Sequence, residues 1–393
     1  MTREIAAGLR YIGVQDRDLD LFESQYIVPE GMSYNSYLIL DEKVAVLDTA
    51  DARKAEEWKR NLAEALEGRQ PDYLVVHHME PDHSALIREA LDLWPGLRLV
   101  TTAKAARMLE QFFDGFDFSD RVMTVKEGDI LPLGVRSLQF VEAPMVHWPE
   151  VMVSYDASSK TLFSADAFGK FGTLDKAFYG DEEDDWACEA RRYYFNICGK
   201  YGAPVQQLLA KAATLDIETI CPLHGPVLRR DLGQYLDLYQ TWSRYEAESE
   251  GVFIAYASIH GGTAAAAKEL AAILREKGCP KVALNDLSRD DQAEGVEDAF
   301  RYGRVVFAAA TYDGGLFPPM QHFLLHLKDK AWQKRKAALI ENGSWAPVAG
   351  RIMKDMLGTM KEIEVVGPVV TIRSRLKTSD RPALEALADA ILQ

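Results

Sequence analysis

The sequence predicts an α/β protein of two domains, the second of which is a doubly wound parallel sheet. At 393 residues the chain exceeds the length of one ordinary hydrophobic core, so two domains are expected. From residue 251 onward, strand-like segments alternate with helical ones, which is typical of a parallel sheet with helices on both faces. The net charge changes at the same point, from −17 over residues 1–250 to +2 over residues 251–393. We therefore expect one domain at 1–250 and another at 251–393.

Apolar periodicity and turn residues place the elements of each domain. In the first domain they predict two strands within 36–50, a helix over 51–68, a strand over 73–78, a helix over 84–94, a strand over 97–102, a helix over 103–113, strands over 136–144, 150–156 and 161–166, and a helix over 229–249. In the second domain they predict strands over 252–258, 281–287, 304–310, 337–343 and 364–370, with helices between them.

Composition and charge exclude several classes of function. Hydrophobic residues make up 48% of the chain and charged residues 27%, without an apolar run of membrane-spanning length. An overall charge of −15 is unfavourable for binding nucleic acid, which needs a cationic face. The four cysteines lie far apart, and the first residues, MTREIAAGLR, do not form an export signal. We expect a cytoplasmic protein that binds neither nucleic acid nor membranes.

Seven potential metal donors lie at the ends of predicted strands. Four follow the strand over 73–78 and the others follow three later strands; in order they are His78, Glu80, Asp82, His83, His147, Asp166 and His224. Burying so many imidazoles and carboxylates is costly unless cations accompany them. Seven donors exceed the four that one tetrahedral zinc ion takes, so two metal ions are predicted. A set without thiolates suits iron, manganese or zinc, and the anionic Glu80 favours iron.

The segments HHMEPDHSA, HWPE, LFSADAFG and PLHGP resemble the metal motifs of the metallo-β-lactamase-like domain of flavodiiron proteins. The resemblance implies an N-terminal αββα sandwich that holds two iron ions. It assigns His78, Glu80 and His147 to one iron, and Asp82, His83 and His224 to the other, with Asp166 bridging both. It also suggests Tyr194, in RRYYFNI, as a catalytic proton donor in the diiron pocket.

The second domain contains an independent signal for a phosphate ligand. VFIAYASIHGGTAAAAKEL predicts a strand, a glycine-containing loop and a helix, whose N-terminal N–H groups can hold one phosphate. Together with two later loops, this segment resembles the FMN site of flavodoxin-like domains. The predicted FMN-binding residues are Ser258, Ile259, His260, Gly261, Gly262, Thr263, Thr311, Tyr312, Asp313, Gly314, Gly315, Asn342, Gly343, Ser344 and Trp345.

The resemblance implies that electrons pass through FMN to the irons, where dioxygen is reduced to water or nitric oxide to nitrous oxide. It also implies rubredoxin, or a rubredoxin reductase system, as the electron donor, and a head-to-tail homodimer or a multiple of it. A helix over 229–249 would span roughly 30 Å and separate the flavin from the irons of its own chain. Two alternatives remain open, a zinc hydrolase with the same first-domain fold and a non-catalytic flavin redox module. The choice between the two gases also remains open.

Overall fold

A computed structural model describes residues 2–393, and the chain divides into two compact units. Unit 1 comprises Met1–Tyr194 and Ala203–Gln240, and unit 2 comprises Phe195–Gly202 and Thr241–Gln393. Unit 2 therefore includes residues 195–202 and 241–250, which the sequence places in the first domain. Among the described residues, no helix has the length and apolar composition needed to cross a membrane.

The first part of the chain is rich in short strands. Its strands are β1 Arg3–Ala6, β2 Leu9–Tyr11, β3 Val14–Asp16, β4 Leu21–Phe22, β5 Tyr26–Ile27, β6 Met32–Tyr34, β7 Tyr37–Leu40, β8 Val44–Leu47, β9 Tyr73–Val75, β10 Arg98–Thr102, β11 Val122–Val125, β12 Ile130–Pro132, β13 Ser137–Glu142, β14 Met152–Asp156, β15 Thr161–Phe163, β16 Thr219–Cys221 and β17 Leu228–Arg229. Its helices are α1 Ala55–Leu66, α2 Pro81–Ser84, α3 Ile87–Leu93, α4 Ala103–Phe112, α5 Trp186–Ile197, α6 Gly202–Ala212 and α7 Leu232–Ser243.

Two sheets pack face to face in unit 1. One has the order β1-β2-β7-β8-β9-β10-β11 and the other the order β12-β13-β14-β15-β16-β17. Inward-facing side chains of both sheets form one core, in which the Tyr37 and Phe163 ring centroids are 5.5 Å apart. Helix α1 packs on β7, and α4 packs on β10 and β11. This arrangement confirms the αββα sandwich expected from the resemblance.

Local sequence explains where the helices near the site begin. Thr102 caps α4, since its Oγ1 accepts a hydrogen bond from the Ala105 N–H at 3.1 Å. Pro81 occupies the first turn of α2, where its missing N–H costs little. The predicted helix over 84–94 is therefore wrong in its bounds. The chain forms α2 first, with Asp82 and His83 on it, and then α3.

Unit 2 contains a parallel sheet with helices along its strands. The elements are β18 Val252–Ala257, α8 Gly262–Glu276, β19 Val282–Asp286, α9 Gln292–Arg301, β20 Arg304–Tyr312, β21 Gly315–Leu316, α10 Pro318–Asp329, β22 Arg335–Asn342, α11 Ala349–Leu357, β23 Ile363–Val365, β24 Val370–Ile372 and α12 Arg381–Leu392. Strand order is β19-β18-β20-β22-β23, and β24 also pairs with β22. This order confirms the flavodoxin-like winding, whose switch point lies between β18 and β20.

Helix α7 is shorter than the helix predicted over 229–249. Residues 228–229 belong to β17, which pairs with β16, and Arg230 and Asp231 have left-handed φ angles of 54° and 41° that delay the helix. The helix ends at Ser243, and Tyr245 again has a positive φ of 58°. Twelve residues span about 18 Å rather than 30 Å. The predicted 30 Å helical spacer between the irons and the flavin of one chain is therefore wrong. Because that spacer was one of two reasons to expect a head-to-tail dimer, the dimer now depends on the resemblance alone.

Candidate functional site

The seven predicted metal donors converge at one edge of the unit 1 sandwich. They occupy loops or short helices that follow β9, β13, β15 and β16, as the sequence predicts. Their ligand atoms form two groups, in each of which all atoms lie within 4.8 Å of one another. The first group contains His78, Glu80, His147 and Asp166, and the second contains Asp82, His83 and His224.

Asp166 faces both groups, with one oxygen toward each. Its Oδ2 lies 3.4 Å from His78 Nε2 and 3.0 Å from His147 Nε2. Its Oδ1 lies 3.5 Å from His83 Nε2 and 3.8 Å from His224 Nε2. A carboxylate in this position can bridge two cations. The backbone before it is held in an unusual conformation, because Ala165 has a φ of +51°.

The remaining carboxylates divide in the same way. Glu80 Oε2 is 3.2 Å from His78 Nε2 and 3.1 Å from His147 Nε2. Asp82 Oδ2 is 3.4 Å from His83 Nε2 and 3.3 Å from His224 Nε2. Each group thus has two imidazoles and one carboxylate of its own, plus one oxygen of the shared Asp166.

The tautomer of His224 shows that its lone pair points into the cluster. Its Nδ1 is 2.7 Å from the Ser33 carbonyl oxygen, which can only accept, so Nδ1 carries the proton. In the neutral imidazole, Nε2 then directs its lone pair toward Asp82 and toward His83 Nε2, 3.0 Å away. Lone pairs facing lone pairs are unfavourable unless a proton or a metal cation lies between them. The donor set therefore fits a metal ion.

Buried atoms without partners support the same conclusion. Among the described residues, Asp82 Oδ1 and Oδ2, Asp166 Oδ1 and His83 Nδ1 are buried without a hydrogen-bond partner. Buried carboxylate oxygens left in this state are costly, and metal coordination removes the cost.

The electrostatics of the cluster favour positive charge. Burial lowers the pKa of His78, but the carboxylates of Asp166, Glu150 and Glu80 outweigh it and hold the pKa well above its ordinary value. For His147, burial again lowers the pKa, but the contacts with Asp166 and Glu80 outweigh it and raise the pKa to about 9. Burial raises the pKa of Asp166, yet the surrounding imidazoles keep that pKa well below its usual range. The same field stabilises metal cations when the imidazoles are neutral.

Residues outside the donor set orient the imidazoles. Glu150 Oε1 is 2.8 Å from His78 Nδ1 and also accepts the Met79 N–H at 2.9 Å. This contact directs His78 Nε2 toward the cluster, as outer partners of metal ligands usually do. The sequence analysis did not identify Glu150 or Ser33. Glu150 is the last residue of HWPE, but its contact with His78 crosses 72 positions.

His77 does not belong to the cluster. Its backbone N–H donates to Asp48 Oδ1 at 2.7 Å. Its ring Nδ1 is 2.5 Å from Asp48 Oδ2, and its ring Nε2 is 2.7 Å from Ser154 Oγ. These contacts satisfy both ring nitrogens within the core.

Two adjacent tyrosines lie in the region of the predicted proton donor. Tyr194 is fully buried, and its ring centroid is 5.1 Å from that of Tyr239. The neighbouring Tyr193 has its ring centroid 5.6 Å from that of His224. Tyr193 is thus in ring contact with a metal donor, and the catalytic role of Tyr194 stays a prediction.

The predicted flavin loops follow β18, β20 and β22, which are adjacent strands of the unit 2 sheet. In the first loop, Ser258 Oγ accepts hydrogen bonds from the N–H groups of Gly261 and Ala264, at 3.1 and 3.2 Å. Gly261 has a φ of +83° and precedes α8, so the loop turns directly into a helix N-terminus. Backbone N–H groups at such a helix N-terminus can hold a phosphate, and the phosphate site in this loop stays a prediction.

Exposed apolar side chains accompany the phosphate loop. Ile259, Tyr312 and Trp345 are 40%, 45% and 88% exposed, and one belongs to each of the three loops. Asp313 and Gly314 have φ angles of 49° and 69° in the tight turn between β20 and β21. Large apolar groups left exposed beside the N-terminus of α8 fit a flat aromatic cofactor such as FMN.

A fourth loop, after β24, is part of the same region and was missed by the sequence analysis. The Ser374 carbonyl accepts from Asn342 Nδ2 at 3.0 Å, the Ser374 N–H donates to Asn342 Oδ1 at 3.2 Å, and the Ser344 and Ser374 hydroxyls are 2.8 Å apart. The carbonyl also lies 2.1 Å from the position that a Cβ would occupy on Gly262. Only glycine fits there without displacing the loop.

Known proteins resemble this chain in sequence and fold. Residues 32–225 match the family described as ODP family beta lactamase. A nitric oxide reductase of Moorella thermoacetica is 29% identical over 375 residues, which cover 93% of this chain and 92% of that protein. Rubredoxin oxygen:oxidoreductase of Desulfovibrio gigas has a TM-score of 0.92 at 25% identity, over 100% of this chain and 98% of that one. The flavodiiron protein of Giardia intestinalis, 24% identical, shares the fold with a TM-score of 0.89 over 99% and 96% of the two chains. In sequence and fold, the chain is therefore similar to flavodiiron proteins.

Proposed function

We propose that this protein reduces a diatomic gas, dioxygen to water or nitric oxide to nitrous oxide, at a non-haem diiron centre that receives electrons through FMN. The observation that carries the proposal is Asp166, whose two oxygens face two separate groups of imidazole and carboxylate donors. The names of the relatives, a nitric oxide reductase and a rubredoxin oxygen:oxidoreductase, support the same chemistry.

The seven donors would hold the iron ions as the sequence predicts. His78, Glu80 and His147 would bind one iron, Asp82, His83 and His224 the other, and Asp166 both. When bound, the iron pair supplies the reducing electrons and the open coordination positions at which a small gas binds. The protein fixes the imidazoles through Glu150 and Ser33 and surrounds them with carboxylates.

The FMN would lie across the loops after β18, β20 and β22. Its phosphate would meet the N–H groups of 258–263, and Tyr312 and Trp345 would flank its ring. When bound, FMN accepts and donates electrons one or two at a time. The remaining predicted residues, from Thr311 to Gly315 and from Asn342 to Ser344, would lie beside the ring, at the ends of β20 and β22 and in the turns that follow.

A rubredoxin-type protein is the proposed donor, because the relative from Desulfovibrio gigas carries that name. A head-to-tail homodimer, in which the flavin of one chain serves the irons of its partner, is proposed from the resemblance. The cytoplasmic location stays a prediction.

The two alternatives are less well supported. A zinc hydrolase does not account for the flavodoxin-like unit 2 with its exposed aromatic loops. A redox module without catalysis does not account for a complete set of donors arranged around Asp166, all of them buried except the half-buried Glu80.

The test measures consumption of each gas by iron-loaded, FMN-containing protein, with reduced rubredoxin as the donor. We expect turnover of at least one gas. The variant Asp166→Asn should lose it by roughly 100-fold or more, since even outer partners of a metal ligand contribute 10–100-fold. The exposed Asp92→Asn is the matched control and should turn over normally. Wild-type protein that consumes neither gas would refute the proposal.

A further inference from the structure

The two proposed metal positions are enclosed by different aromatic walls. Around the first position, the Trp148 ring lies edge-to-face with His78, with centroids 5.1 Å apart, and with His147, with centroids 6.3 Å apart. On the outer side, the ring of Phe112 stacks on that of Trp148, with centroids 6.5 Å apart and planes inclined by 22°. Trp148 is half-buried and Phe112 is 39% exposed, so this pair reaches from the donors to the surface.

Three buried rings cover the second position. Phe22, Tyr34 and Tyr193 surround His224, at centroid distances of 5.4, 5.9 and 5.6 Å. Each of the three is 5% exposed or less. His83 and His224 have side chains that are 0% and 1% exposed. The imidazoles and rings on this side are thus buried, and Asp82, the remaining donor of this position, has a side chain that is 8% exposed.

The donors themselves do not distinguish the two positions. Each group has two imidazoles, one carboxylate and one oxygen of Asp166, so charge and donor type are the same. Accessibility differs, because the side chain of Glu80 is 15% exposed and is the most open of the seven donors. The two positions thus have the same donor types but differ in their aromatic walls and in their exposure to solvent.

Helix α4 holds the wall of the first position in place. Thr102 Oγ1, at the start of this helix, donates to the Glu150 carbonyl at 3.0 Å, and Lys104 Nζ donates to the Pro149 carbonyl at 3.0 Å. Phe112 is the last residue of the same helix. The loop that carries Trp148 is therefore tied to one end of α4, and the ring that covers Trp148 comes from the other.

We propose that Trp148 and Phe112 form a gate over the first metal position, and that this position exchanges its iron before the second. Trp148 is a positioning residue in this scheme, since its ring packs on the imidazoles of His78 and His147 and is not one of the seven donors. The inference rests on the proposed diiron centre. It adds that the two irons differ in lability although their donors match.

The test follows release of iron(II) from anaerobic, fully loaded protein to a chromogenic ferrous chelator. Wild-type protein should release iron in two phases of equal amplitude. Trp148→Ala should accelerate the fast phase by roughly tenfold, the order of effect that loss of an outer contact to a metal ligand produces, and leave the slow phase unchanged. Phe112→Ala should accelerate the fast phase less, and Trp148→Phe should restore a rate close to wild type. Trp94→Ala, which removes a tryptophan outside the site, is the control.

The outcomes separate this inference from the proposed function. Wild-type protein that cannot hold about two irons overturns both. Wild-type protein that holds two irons and releases them in a single phase overturns the gate alone, as does Trp148→Ala protein with both phases accelerated equally or neither accelerated. If Trp148→Ala fails to fold, an unchanged fast phase in Phe112→Ala overturns it.

Discussion

At the scale of single residues, the ring nitrogen that carries the proton in each histidine decides what the centre can bind. The Ser33 carbonyl and the Glu150 carboxylate accept from the Nδ1 atoms of His224 and His78. In the neutral, metal-binding form of each imidazole, the Nε2 lone pair therefore faces Asp166. A carboxylate and a lone pair that face each other repel, so these contacts prepare the cluster for cations. The donors were predictable because their side-chain chemistry is visible in the sequence. The partners that orient them were not, because carbonyls and distant carboxylates carry no sequence signal.

The first prediction concerns Glu150. Glu150→Gln keeps an acceptor near His78 Nδ1 and the Met79 N–H but removes the negative charge. We expect iron affinity at the first position to fall by roughly 10–100-fold, as for other outer partners of metal ligands. Titration of metal-free protein with iron(II) measures this. The half-buried Glu142→Gln serves as the control, and equal affinities of all three proteins would show that the charge of Glu150 is irrelevant.

The second prediction concerns protons at His147. Its pKa of about 9 in metal-free protein lies above the ordinary 6.5, whereas metal binding needs the neutral imidazole. Iron binding between pH 6.5 and 9 should therefore release protons, and the apparent affinity should rise with pH. By linkage, the contribution of His147 to the stability of metal-free protein is fully present below pH 6.5 and is lost as pH rises through about 9.

A pH indicator in weakly buffered solution measures the protons released when iron(II) is added at pH 7.5. The exposed His322→Gln should release as many as wild type. Binding without proton release would contradict the pKa of His147.

At the scale of elements, strand ends carry both sites. The alternation of strands and helices in the sequence predicted where strands end. Metal donors after the strands of unit 1 predicted the metal site, and glycines after the strands of unit 2 predicted the flavin site. Contacts between loops were not predictable, since Ser374 meets Asn342 across 32 positions. Helix ends were also mispredicted, because the left-handed residues Arg230 and Asp231 interrupt an otherwise helical pattern.

The third prediction concerns the close approach at Gly262. In Gly262→Ala, the new Cβ would lie 2.1 Å from the Ser374 carbonyl oxygen and 2.9 Å from Asn342 Nδ2, so the loops must separate. Overpacking of this kind costs about 1–3 kcal/mol, which corresponds to roughly 5–150-fold weaker FMN binding. Quenching of FMN fluorescence by flavin-depleted protein measures the affinity, and iron content should not change.

Gly233→Ala is the control for this substitution. Gly233 lies in α7, and a Cβ added there would have no neighbouring atom within 4 Å. FMN binding by Gly262→Ala that equals wild type would place the flavin elsewhere.

At the scale of the whole molecule, the open question is which flavin serves which irons. Helix α7 is too short to serve as the 30 Å spacer that favoured electron transfer between chains. The question therefore needs a direct experiment. The fourth prediction is complementation between two inactive variants. His147→Ala removes a donor of the first iron, and Thr263→Asp places a charge that repels the FMN phosphate. In a head-to-tail dimer, co-expressed heterodimers retain one intact flavin–iron pairing.

Gas turnover of isolated heterodimers measures the effect, and we expect about half of the wild-type rate, since one of two pairings survives. Each homodimer should be inactive while keeping its other cofactor, which is the control. Inactive heterodimers would show that electrons pass within one chain.

The central claim is that one chain holds two irons around Asp166 together with one FMN. Metal and flavin analysis of protein expressed with ample iron tests it most directly, because the hydrolase and the flavodiiron enzyme differ in both cofactors. Zinc binds such donors tightly, so the metal supply must be controlled. The account predicts about two irons and one FMN per chain, from seven donors in two groups and one phosphate loop. Two zinc ions with no flavin under these conditions would contradict it.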